Sequence, residues 1–167
     1  MEKTPWSVPV AVEEIPETGL HIEIEAPAAV REAVAKLASV RELPRLSGVF
    51  DVTRKGAGAH VAGQIEALVG QTCVVSLEPI ESKVEESIDV TFSPSADAAT
   101  SDDDEPPEPL IGGTVDLGAV ATEFLLLAID PYPRKEGAQF AAPKADEGGE
   151  RPFAALETLK KRLSGKP

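Results

Sequence analysis

Aromatic side chains are scarce in this sequence: Phe, Trp and Tyr together make up 4% of 167 residues, with one Trp and one Tyr. The core must therefore be built mainly from Val, Leu, Ile and Ala, although the overall hydrophobic fraction, 42%, is ordinary. Cysteine occurs once, as Cys73, which excludes an internal disulfide and fits a reducing compartment. The two histidines, His21 and His60, lie 39 positions apart, so the ordinary spacing of a zinc site is missing. No run approaches the roughly 20 apolar residues of a membrane span. The N-terminus lacks the basic-then-apolar order of a signal peptide. A soluble, cytoplasmic protein is expected.

Basic residues are also in deficit, with 16 Lys and Arg against 29 Asp and Glu, for a formal charge of -13. The imbalance is uneven: net -7 over residues 1–93, -10 over 94–150 and +4 over 151–167. Such a chain opposes non-specific nucleic-acid binding, which depends on basic contacts to phosphates, and favours basic partners.

Recognisable catalytic groupings are missing as well. No Ser–His–acid grouping, phosphate loop or carboxylate pair on a firm element stands out. Gly56-x-Gly58 begins a nucleotide-loop pattern, but the third glycine would fall at position 61, which is Val61. Neither a metal nor another cofactor is expected, and a non-enzymatic protein is the leading reading. The alternative is a metal-dependent RNA-processing enzyme using Asp89, Asp116 and Glu123.

What is present is alternation and amphipathicity. Trp6, Val8, Val10 and Val12 share one parity, with Pro9 marking an edge strand. Leu20, Ile22 and Ile24 share another after the turn Pro16-Glu17-Thr18-Gly19, with His21, Glu23 and Glu25 on the wet side. Val30, Val34 and Leu37 predict a helix over 27–40, begun by Pro27. Phe50 and Val52 lead through Arg54-Lys55-Gly56-Ala57-Gly58 into a run from Val61 to Val69, a hairpin pattern. Gly70-Gln71 then reads as a break. Thr72-Cys73-Val74-Val75-Ser76-Leu77-Glu78-Pro79 reads as the next strand, closed by a turn at Glu78-Pro79. Ile88, Val90 and Phe92 alternate with Asp89 and Thr91 in the strand after it.

Residues 94–109 hold four prolines, six acids and no base, a composition that predicts a disordered acidic loop. A helix over 116–129 follows, capped by Asp116, with Leu117, Val120, Ala121, Phe124 and Leu127 as its apolar stripe. Asp130-Pro131-Tyr132-Pro133 stops it. The expected organisation is one α+β domain over 1–134 and a linker with a short basic amphipathic helical tail over 135–167. The sheet should be mainly antiparallel, about six strands, open or partly closed into a barrel, with two helices covering it. Direct RNA contact should be confined to small basic areas: Arg54 and Lys55, Arg134 and Lys135, and Lys160, Lys161 and Arg162.

The order of these features resembles the YceD family, the large ribosomal RNA subunit accumulation proteins. The resemblance is carried by Thr72–Pro79, Ile88–Phe92, Val115–Gly118, Glu123–Arg134 and Pro152–Leu156, with Cys73, Leu77, Pro79, Asp116, Leu117, Pro131, Pro133 and Arg134 as motif residues. It implies a ribosome-assembly role in the accumulation or processing of large-subunit ribosomal RNA, through the large ribosomal subunit precursor or a basic ribosomal protein. Relatives are often encoded beside ribosomal protein L32, which the resemblance makes an expected partner. Many relatives carry Cys-x-x-Cys in the central strand. Here the second position is Ser76, and in a regular strand Cys73 and Ser76 would point to opposite faces.

Overall fold

A computed structural model describes residues 4–94 and 106–140, together with Leu156 and Lys160. Its centre is a sheet with the linear order β2-β3-β4-β5-β6, whose edges are β2 and β6. The strands are β2 (Leu20–Glu25), β3 (Glu42–Lys55), β4 (Gly58–Thr72), β5 (Pro79–Ser93) and β6 (Glu108–Pro109). All neighbours are antiparallel except β5 and β6, which are parallel. A separate two-stranded sheet joins β1 (Pro9–Ala11) to β7 (Thr114–Asp116), bringing the N-terminal segment beside the second half of the chain. Two helices, α1 (Ala28–Leu37) and α2 (Leu117–Ala128), complete the expected α+β arrangement.

Period-two patterning separates the two faces of the large sheet. Leu46, Phe50, Val52, Val61, Ile65, Val69 and Ile88 point inward and are buried with Val34 of α1 and with Leu117, Val120, Ala121 and Leu125 of α2. Trp6, Val12 and Ile15 close the same core from the N-terminal side. The opposite face carries His21, Glu23, Glu25, Asp51, Glu66, Glu85 and Asp89, and the alternation of β2 and β5 is as the sequence predicts. Among the described residues, Phe50 is the aromatic ring with no exposed surface, bedded between two glycines. A Cβ at Gly48 would stand 2.6 Å from that ring and one at Gly63 2.9 Å from it.

Several expectations change. Gly70-Gln71 is not a break: β4 runs through it, with Gly70 opposite Glu81 and Gln71 opposite Ile80. Gly70 takes no left-handed backbone there, and a Cβ would meet only the exposed Glu42 side chain, at 2.4 Å. Residues 73–78, expected as a strand, form the turn between β4 and β5 instead, because Leu77 N–H bonds to the Cys73 carbonyl and Leu77 takes φ 60°. The stripes are also narrower than drawn. Leu37 and Leu127 are exposed, and the inward position near the end of α2 belongs to Leu125. Of the acidic loop, 95–105 lies outside the described residues, whereas Glu108–Pro109 forms β6 beside Phe92 and Ser93. In the tail only Leu156 and Lys160 are described, both helical and exposed.

Candidate interaction site at the hairpin tip

The β4–β5 turn does not project freely. The segment that leaves α2 is fastened to it by four contacts between residues about 60 positions apart in sequence. Val74 N–H donates to the Pro133 carbonyl at 2.9 Å. Lys135 N–H donates to Cys73 Sγ at 3.2 Å, Gln71 Nε2 to the Asp130 carbonyl at 2.8 Å, and Lys135 Nζ pairs with the Glu78 carboxylate at 3.1 Å. Asp130-Pro131-Tyr132-Pro133 makes this possible by ending α2 abruptly, with Tyr132 N–H bonded to Asp130 Oδ1 at 2.8 Å. Here proline ends the helix, since it has no N–H to continue the ladder.

Cys73 is the pivot. It has no exposed surface, and its sulfur accepts a second backbone N–H, from Ser76 at 3.3 Å. The Lys135 N–H first, then the Ser76 donors, favour the charged form and hold the thiol down at about 6. Glu78 is likewise held below the usual carboxylate range by the Lys135 ammonium and the Ser76 hydroxyl. Positions 73 and 76 thus share one tight turn and do not face opposite ways, correcting the expectation drawn from a regular strand. The cause is the left-handed backbone at Leu77, which patterning does not announce. With Ser at 76, this chain has no thiol pair.

The motif residues divide into two groups. Cys73, Leu117 and Pro133 are buried, and Asp116 caps α2: its carboxylate accepts from Gly118 N and Ala119 N at 3.1 Å, and from Val8 N and Ser7 Oγ at 2.7 and 2.6 Å. Leu77, Pro79, Pro131 and Arg134 are exposed. Leu77 is 76% exposed and Tyr132 70%, in the same range as Leu127 and Phe140 elsewhere on the surface, and both sit on this tied backbone. Tyr132, Val74 and Gln71 lie in segments the sequence marks, but none of them stands out there as a site residue. A polar Gln inside an apolar strand and a lone Tyr between prolines were the available signals.

Among the described residues, the basic candidates on the domain lie on separate elements, Arg54 and Lys55 at the end of β3 and Arg134 and Lys135 after α2. The Arg54 guanidinium donates to the carbonyls of Val12 and Glu13 at 2.9 and 2.7 Å, fixing the short 3-10 turn at Val12–Glu14. Lys135 is paired with Glu78, while Lys55, Arg134 and Lys160 are exposed. Lys161 and Arg162 lie outside the described residues. The acids of the enzymatic alternative are also dispersed. Asp89 bonds His60 at 2.9 Å and Asp116 is the helix cap. Among the described residues no three His, Cys, Asp or Glu side chains are arranged to hold a metal ion.

No curated protein and no solved structure matches the chain. A family model, described as large ribosomal RNA subunit accumulation protein YceD, matches residues 61–160, which span the hairpin, its tip and α2. The chain belongs to the YceD family.

Proposed function

We propose that this chain supports the accumulation of large-subunit ribosomal RNA as a non-enzymatic assembly factor, by binding a pre-ribosomal particle through the tip formed by residues 73–78 and 130–135. One observation carries the reading. Two motif segments distant in sequence are tied together by backbone, thiol and ion-pair contacts, yet the tie leaves Leu77 and Tyr132 in solvent. Exposed apolar and aromatic side chains on a fixed backbone suit a binding surface, because little ordering entropy remains to be lost on association.

The partner that fits the charge of -13 is a basic ribosomal protein, with L32 a candidate, rather than a broad expanse of RNA. RNA contact would fall to Arg134 beside the tip, to Lys55, and to Lys160, Lys161 and Arg162 of the tail. Arg54, bonded to the Val12 and Glu13 carbonyls, and Lys135, paired with Glu78, complete the set of basic candidates. In this reading 1–134 acts as one domain, with 135–167 a tethered second contact. Deletion of the gene should lower the ratio of large- to small-subunit ribosomal RNA, and purified protein with precursor RNA and magnesium should leave that RNA intact. A normal ratio after deletion, or specific cleavage lost on Asp116→Ala, would overturn the proposal.

A further inference from the structure

Strand β2 is an edge: it pairs with β3 on one side and, among the described residues, with nothing on the other. The register tells which of its backbone groups are free. Ala26 N–H bonds to the Leu46 carbonyl, continuing the ladder that places Ile24, Ile22 and Leu20 opposite Gly48, Phe50 and Val52. Hydrogen-bonded and outward-facing residues alternate in an antiparallel strand. The N–H and C=O groups of His21, Glu23 and Glu25 therefore point away from the sheet. Side chains follow the same alternation. Leu20, Ile22 and Ile24 are only partly buried on the core side, whereas His21, Glu23 and Glu25 stand exposed on the other face.

Two hollows flank this edge. On the core side, a groove of about 750 Å³ is lined by Trp6, Val8, Ile24, Pro27 and Val30, with Glu25 at its rim. On the exposed face, a depression of about 440 Å³ over β2, β3 and β4 gathers Glu23, Glu25 and Glu66 with Arg45, and Lys83 stands 4.0 Å from Glu66. An added strand would set alternate side chains beside the mixed groove, where Trp6, Ile24 and Val30 meet Thr4 and Ser7, and beside the glutamates of β2 on the other face.

We propose that the β2 edge is a docking site for an extended peptide segment of a basic protein, in which apolar residues alternate with lysine or arginine. Its backbone pairs with His21, Glu23 and Glu25. Its apolar side chains cover Ile22 and Ile24 and reach the groove beside Trp6, while its cations face Glu23 and Glu25. A second copy of this chain fits less well than a basic segment, since it would bring the same net charge of -13 to this acidic edge. The inference stands apart from the hairpin tip and does not depend on the ribosomal role.

The full-length protein labelled with 15N is titrated with a blocked octapeptide of alternating valine and lysine. Amide exchange and Trp6 fluorescence are followed, Trp6 being the only tryptophan. Exchange at His21, Glu23 and Glu25 should slow by about tenfold or more at saturation, as free edge amides enter a ladder. The same peptide N-methylated at alternate residues should not bind, nor should one with glutamate in place of lysine. The paired variant Glu23→Lys with Glu25→Lys should weaken binding by about tenfold. Equal binding of the N-methylated peptide, or unchanged exchange at the three amides with the Trp6 signal saturated or absent, would overturn the proposal. The peptide controls leave the protein untouched, so their outcome does not depend on how the variant folds.

Discussion

Cys73 and Leu77 sit four positions apart in one turn and are treated in opposite ways, one sealed and one exposed. The thiol is lowered from 9.0 to about 6 because two backbone N–H groups aim at the sulfur. A depressed value means the folded state prefers the thiolate. That contribution to stability is fully present above pH 9 and is lost as pH falls through about 6. Thiolate absorbance at 240 nm should titrate near pH 6 in the native protein and near 9 in urea; a native midpoint above 8 would contradict the geometry. Leu77 makes the converse case, holding φ 60° with its side chain in solvent. A non-glycine residue there is strained by about 1 kcal/mol, so Leu77→Gly should stabilise the protein by up to about that amount in urea melts. A clear loss of stability would mean that Leu77 is there for the fold and not for a partner.

At the scale of elements, β2, α1, α2 and the 88–92 end of β5 were legible because their periodicities are strong and one face of each is buried, whereas the first part of β5, from Pro79, was not. Position 116 was legible because an acid before an apolar helical run has one obvious use. Asp116→Ala should cost about 2 kcal/mol in thermal melts, the upper end for a cap, because the carboxylate also holds Ser7 and Val8. A loss under about 0.5 kcal/mol would deny it that double role. The join at Gly70-Gln71 differs from the expected break for a physical reason: glycine breaks a strand only when its backbone freedom is used, and Gly70 takes no left-handed backbone. Gly63 in the same strand makes the distinction measurable. A Cβ there would stand 2.3 Å from the Val49 carbonyl oxygen, while Gly56 has φ 61° and open space around it. Gly63→Ala should therefore cost about 3 kcal/mol through overpacking and Gly56→Ala about 1 kcal/mol through backbone strain. The reverse order in urea unfolding would contradict this packing.

Over the whole molecule, the sheet buries one face under two helices and the N-terminal segment, and leaves the other acidic face in water. Composition foretold the acidity and the aliphatic core. The meeting of 73–78 with 130–135 was not legible, since it depends on where α2 stops relative to the hairpin, a tertiary relation that local pattern does not encode. The family motifs marked the two partners without showing that they touch. Once joined, they place Leu77 and Tyr132 at one end of a domain whose remaining charge repels phosphate, so association with a particle that is largely RNA should pass through that end.

Density-gradient sedimentation of cell extract tests this most directly, comparing the natural protein with a Leu77→Gly, Tyr132→Ala variant of matched thermal stability. The natural protein should travel with large-subunit precursor particles and the variant should stay near the top of the gradient. Equal co-sedimentation of both, or absence of the natural protein from every particle fraction, would contradict the assignment of the hairpin tip as the binding surface.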